Sequence, residues 1–220
     1  MISPSDTVLI AGDSWGGGEW SVEDGPATRV THRGLEQFLI EYGCSVTNLS
    51  EGGSTNFTQA QKLVLELSHA KPDVVIWFQT DPMRDLGSLN SDTFPKDLAE
   101  MIVAQQQRLD TVYEKLNNLG IPIHCIGGAS KLDETLLVKY NNLKPIIPSI
   151  IEMFGGTHPV CWISSWIQLD SLKFSDKLLS ELEEVAATTF LPREWFYPDG
   201  VHPNREAHYR IFEYILKHHK

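Results

Sequence analysis

Thr7-Val8-Leu9-Ile10-Ala11-Gly12-Asp13-Ser14-Trp15-Gly16-Gly17-Gly18 runs apolar and partly β-branched, then breaks abruptly into Gly-Asp-Ser and a glycine cluster. This is how a buried parallel strand delivers a small nucleophile to the rim of a sheet. At a strand-to-helix turn the Ser14 hydroxyl projects clear of the backbone, and nearby amide N–H groups are placed to stabilise an oxyanion. Asp13 is suited to fixing the turn by hydrogen bonding. Taken alone, a turn serine is usually only a turn serine. The glycines also raise phosphate binding. However, Gly12 to Gly18 fits neither the dinucleotide fingerprint nor the P-loop, which needs a lysine before Ser or Thr.

Beyond this stretch, helix and strand patterns alternate. Leu35, Phe38, Leu39 and Tyr42 recur at helical spacing and stop at Gly43. Residues 44–49 read as a second strand and Ser50-Glu51-Gly52-Gly53-Ser54-Thr55 as a loop. Asn56, with Gln59 three residues on, is the expected cap of a helix burying Ala60, Leu63, Val64 and Leu67. Residues 73–78 are continuously apolar after Asp73, as in a strand covered on both faces, and break at Gln79-Thr80-Asp81-Pro82. A long helix carries Leu98, Ile102, Leu109, Val112 and Leu116, and residues 121–126 form the fourth strand.

Residues 131–156, less regular and interrupted by Pro145 and Pro148, read as a mixed helix and loop insertion that can cover a pocket or make a dimer contact. Residues 160–164 are the expected fifth strand, 174–187 a helix and 191–203 a long loop. Asn204 is the expected cap of a final helix carrying Ile211, Phe212 and Ile215. The alternation implies a parallel sheet with helices on both faces, and so an α/β fold. Functional groups then gather at the carboxyl ends of the strands. No repeat, low-complexity segment or linker divides residues 1–220, so one domain is expected.

A chain of 220 residues can bury roughly 70% of its unfolded surface. Its net charge of −11 argues against nucleic acid or an anionic membrane as the main partner, because both call for basic patches. No apolar run is long enough to span a bilayer. Residues 1–6 carry no basic region followed by an apolar stretch, so no signal peptide is expected and the setting is read as cytoplasmic or virion-associated. Cys44, Cys125 and Cys161 are odd in number and widely spaced, which suits reduced core cysteines. His32, His69, His124, His158 and His208 show no metal-ligand spacing, so neither a metal nor another cofactor is expected.

Near the far end stands Asp199-Gly200-Val201-His202-Pro203-Asn204. Three residues apart in one loop, the Asp199 carboxylate can reach one imidazole nitrogen of His202 and leave the other for Ser14. The carboxylate then sets the tautomer and stabilises the imidazolium. Either residue alone reads as a turn or a surface group. Together with a serine at the end of the first strand, they supply the parts of a nucleophilic hydrolase.

In the order and spacing of these blocks the chain resembles the SGNH hydrolases, the GDSL-type esterase and lipase superfamily. The matching pieces are Gly12-Asp13-Ser14, Gly53 in its loop, and residues 199–204. The resemblance implies a three-layer α/β/α sandwich with a flavodoxin-like five-stranded parallel sheet. It implies Ser14 as nucleophile, His202 as general base and acid, Asp199 as its orienting partner, and the N–H groups of Ser14 and Gly53 as oxyanion donors.

The third block departs: Thr80 stands where the family has an asparagine whose amide is the third donor. A threonine hydroxyl can donate one hydrogen bond but is shorter. Thr80 is expected as the substitute donor. Gln79 carries amide chemistry one position early and, with Trp15, is an expected substrate contact. Trp20 and Glu19 are weaker candidates for the pocket wall, and Arg84 suits either an anionic substrate or, better, a salt bridge with a nearby aspartate. The expected substrate is a small-molecule or carbohydrate ester with a small acyl group such as acetyl. The rival is a glycan- or acyl-binding module of the same fold, part of a viral or surface assembly. Hydrolysis or acyl transfer, and monomer or homo-oligomer, stay open.

Overall fold

The computed structural model describes residues 2–21, 29–157, 174–197 and 199–218. Its strands are β1 (Thr7–Ala11), β2 (Glu19–Ser21), β3 (Arg29–His32), β4 (Ser45–Asn48), β5 (Val74–Gln79), β6 (Ile123–Gly127) and β7 (Leu143–Ile147). Five of them form one sheet in the order β4-β1-β5-β6-β7, and every pairing in it is parallel. The chain thus starts near the middle, steps outward once, crosses back and continues to the other edge, which is the flavodoxin-like order. The strands β2 and β3 make a separate antiparallel ribbon.

Successive strand residues point to opposite faces of a sheet, and the core divides accordingly. Val8, Ile10, Ile76, Phe78 and Ile126 pack with Leu35 and Leu39 of α2 (Leu35–Tyr42) and with Ile211, Phe212 and Ile215 of α9 (Arg205–His218). Leu9, Ala11, Val75, Trp77 and Cys125 pack with Ala60 and Leu63 of α3 (Asn56–Leu67) and with Leu109, Val112 and Leu116 of α4 (Leu98–Asn117). Two cores on either side of one sheet make three layers. Burying each aliphatic side chain of this kind contributes about 1.5–3 kcal/mol. At the start of the sheet, Asp73 ties β1 to β5: its Oδ2 accepts from the Thr7 N–H at 2.8 Å and from the Thr7 hydroxyl at 2.7 Å.

Three sequence expectations are corrected. The fifth strand of the sheet is β7, inside the stretch read as a mixed helix and loop insertion; residues 160–164 lie outside the described residues. Pro145 is tolerated because β7 is an edge strand, and the register slips beside it, between Cys125 and Ile126. The rest of residues 131–156 holds two helical turns, α5 (Glu134–Leu137) and α6 (Ile150–Met153). The cap of α3 is Thr55, whose hydroxyl accepts from the Thr58 N–H, and this frees Asn56 for another task. Val64 is exposed on α3 rather than buried. The helix expected at 174–187 is α7 (Asp176–Ala186), and the loop before residue 203 contains α8 (Arg193–Phe196). Asn204 does cap α9, accepting from the Ala207 N–H at 3.0 Å.

His208, on the inner face of α9, packs against Gly34. A Cβ there would come within 2.7 Å of the imidazole, and the φ of +55° already favours glycine. Burial holds this histidine far below its ordinary value of 6.5, at about 4. The folded state therefore binds fewer protons than the unfolded chain between these pH values, and stability falls as pH falls through that window. The gap corresponds to about 3 kcal/mol. Denaturant unfolding at pH 7 and pH 4 is expected to show this loss in the wild type and to lack it in His208→Met; equal slopes in the two proteins would contradict it.

Candidate active site

The site is built at the carboxyl end of β1. Asp13 follows the strand in extended conformation and caps α1 (Ser14–Gly17), its Oδ1 accepting from the Trp15 N–H at 3.0 Å. Ser14 is therefore the first residue of a helical turn. The glycines around it answer to close packing. A Cβ at Gly12 would lie 2.8 Å from Phe78 Cβ, and one at Gly16 would lie 2.5 Å from Ser50 Oγ.

His202 and Asp199 arrive from the turn before α9. Asp199 Oδ1 accepts from the N–H groups of Val201 and His202, both at 2.9 Å. That local turn brings the ring back onto the carboxylate, where His202 Nδ1 is hydrogen-bonded to Asp199 Oδ2. His202 Nε2 lies 2.7 Å from Ser14 Oγ. An ionised carboxylate only accepts, so Nδ1 carries the ring proton and Nε2 is free to accept from the serine hydroxyl. Burial pushes the Asp199 carboxyl up, but the His202 ring and the two backbone N–H groups outweigh it and hold the group below its ordinary value. The structure thus brings together the three residues singled out in the sequence.

The second oxyanion candidate sits in the loop after β4. The Glu51 N–H donates to Gly12 O at 3.1 Å, so the loop is fastened to the end of β1. A Cβ at Gly52 would lie 3.9 Å from Ser14 Cβ, which places Gly52 against the Ser14 turn. Gly53 has φ +77°, a conformation that glycine adopts at no steric cost.

The two tryptophans separate in role. Trp15 is 2% exposed and packs on Phe196 at 5.7 Å between ring centroids, so it belongs to the core and is not a substrate contact. Trp20, from β2, donates its indole N–H to Ser14 O at 2.8 Å, and its ring lies 5.5 Å from that of His202. It pins the turn and covers the imidazole. Glu19 joins the ribbon to α9, accepting from the Arg205 N–H at 2.6 Å.

The third block is arranged differently from the expectation. The Thr80 hydroxyl is fully buried and donates its one proton to Asp13 Oδ2 at 2.5 Å. It has none left for an oxyanion. Gln79 is also fully buried and faces the α4 side, where it accepts from the Tyr113 hydroxyl at 2.5 Å and donates to Ser130 Oγ at 2.6 Å. It is neither a donor at the site nor a substrate contact. Strand alternation explains it: Gln79 shares the face of Trp77. The aspartate partner of Arg84 is Asp13, at 2.9 Å.

Asn56, which the sequence reading made a cap, instead clamps the Thr80 backbone. Its Oδ1 accepts from the Thr80 N–H at 2.9 Å, and its Nδ2 donates to Thr80 O at 3.1 Å and to Asp85 Oδ2 at 2.9 Å. The adjacent Thr55, itself a strong capping type, was the available signal.

No family model and no curated protein matches the sequence. Among solved structures the chain is similar to the psychrotrophic esterase EstA from Pseudoalteromonas sp., with 14% identity over 97% of this chain and 96% of that one, at a TM-score of 0.46. It is similar to TesA with 19% identity over 97% and 98%, at 0.47. It is also similar to the acetylxylan esterase Axe2 from Geobacillus stearothermophilus with 15% identity over 99% and 95%, at 0.46. Among the described residues no group of three or more His, Cys, Asp or Glu is placed to hold a metal ion. No described helix is long and apolar enough to cross a membrane.

Proposed function

We propose that the protein is a serine ester hydrolase acting through an acyl-enzyme on small acyl esters, with a polar alcohol such as a sugar as the leaving group. The observation that carries the reading is the continuous relay from Ser14 Oγ through His202 to Asp199. Ser14 attacks the ester carbonyl while His202 Nε2 takes its proton. The imidazolium, held by Asp199, returns that proton to the departing alkoxide. Water then enters by the same route and releases the acid and Ser14. The N–H groups of Ser14 and Gly53 serve as oxyanion donors.

The preference for a small acyl ester of a polar alcohol rests on a cleft that adjoins Trp20, the residue covering His202. A cleft of about 620 Å³ opens beside Trp20 and Gly52, and Thr31, His32, Glu36, Asn48 and Ser50 supply its polar lining. Such a wall suits hydroxyl groups better than a long hydrocarbon. Turnover of p-nitrophenyl acetate is expected to exceed that of the octanoate in kcat/KM by at least about tenfold, corresponding to about 1.4 kcal/mol of differential binding in the transition state. A preference for octanoate would overturn the substrate class. The absence of a Thr80 donor favours a second reading, a binding module of the same fold. On that reading Ser14→Ala keeps full affinity for the ligand and the wild type has no turnover to lose.

A further inference from the structure

We propose that Arg84 is a positioning residue for the nucleophile turn, cancelling the charge of Asp13 so that an oxyanion can form beside it. The inference rests on the serine hydrolase reading. Asp13 directly precedes Ser14, and the Asp13 and Arg84 side chains are 0% and 8% exposed. One carboxylate oxygen of Asp13 holds the Trp15 N–H; the other accepts from Thr80 Oγ1 and from Arg84 Nη1. Arg84 Nη1 also donates to Thr80 Oγ1 at 3.0 Å. The guanidinium therefore stands at the tip of the residue-80 side chain, the position from which the resemblance expects an amide donor.

The charge argument is direct. A tetrahedral intermediate places a negative charge near the Ser14 N–H. An uncompensated carboxylate one residue away, with little water to screen it, would repel that charge. Paired with Arg84, Asp13 keeps its cap on α1 without presenting a net anion.

The other ionisable groups nearby are committed elsewhere. Asp81 accepts from the Met83 N–H at the start of the 3-10 helix Pro82–Ser88. Asp85 is held by Asn56 and the Phe57 N–H. His202, on the far side of Ser14, is bonded to Asp199. The clamp of Asn56 on Thr80 and Asp85 fixes the segment that carries Arg84, so the guanidinium is set in place before substrate arrives.

The test compares wild type, Arg84→Met, Arg84→Lys and the double variant Asp13→Asn/Arg84→Met. Its readouts are the rate of fluorophosphonate labelling and the kinetics of p-nitrophenyl acetate hydrolysis. Arg84→Met is expected to lower kcat about 10²-fold, the scale of losing one oxyanion donor, with KM within about threefold. Arg84→Lys keeps the charge and is expected within about tenfold of wild type. The double variant has no buried anion and is expected to be at least about tenfold faster than Arg84→Met.

Recovery of the rate in the double variant is the readout that a purely structural role would not move, because Asp13→Asn restores no contact that Arg84→Met removed. If Arg84→Met does not fold, the lysine and double variants decide: both within about tenfold of wild type supports the proposal, and a double variant about 10²-fold slower than Arg84→Lys overturns it. A wild type that labels no faster than Arg84→Met overturns this proposal alone. A folded wild type that neither labels nor turns over removes the hydrolase reading and this one together.

Discussion

Replacing His202 with alanine is expected to lower kcat on p-nitrophenyl acetate by about 10⁵-fold or more, and adding Ser14→Ala is expected to cost almost nothing further. Both follow from the 2.7 Å contact between His202 Nε2 and Ser14 Oγ. A serine hydroxyl is a poor nucleophile until a base takes its proton, so removing the base idles the nucleophile, and removing either empties the same step. What survives is catalysis by the backbone donors and by binding. The check is a set of steady-state measurements on the two single variants and the double. Losses that multiply, or a His202→Ala variant within tenfold of wild type, would show that the two side chains do not act as one unit.

Asp199→Asn is expected to lower kcat by about 10⁴-fold with the fold intact. The amide oxygen can still accept from the Val201 and His202 N–H groups, so the turn is kept. Its NH₂ group, however, donates towards His202 Nδ1, where the carboxylate accepts. The ring proton then moves to Nε2, and Ser14 loses its acceptor. The unfolding transition of this variant should stay close to that of the wild type while its turnover collapses. Turnover within tenfold of wild type would mean that Asp199 holds the loop and does nothing for the imidazole.

How far the sequence foretold this arrangement depends on the range of the interaction. Val8 to Ala11 and Val74 to Phe78 declare buried strands because both of their faces are apolar, a local property. Ser14, Asp199 and His202 are recognisable because the chemistry demands those residue types in that order. The strand β7 was hidden because Pro145 argues against a strand, and only the sheet order shows that it lies at an edge.

Thr80 shows a different limit. Its position beside the site was readable, but where its single hydroxyl proton goes depends on Asp13, 67 residues earlier. The Asp13–Arg84 pair, 71 residues apart, needed the fold to choose among many aspartates. Gln79 was within reach of the sequence, since period-two alternation puts it on the face of Trp77 and away from the nucleophile. Trp15 follows Ser14 directly, yet the first turn of α1 directs it inward onto Phe196, which a linear reading does not show.

The central claim is that Ser14 is an activated nucleophile, and labelling with a fluorophosphonate probe tests it most directly. The wild type is expected to label covalently and stoichiometrically, Ser14→Ala not at all, and His202→Ala far more slowly. A folded wild type that resists the probe, or a Ser14→Ala protein that labels as well as wild type, would contradict the account.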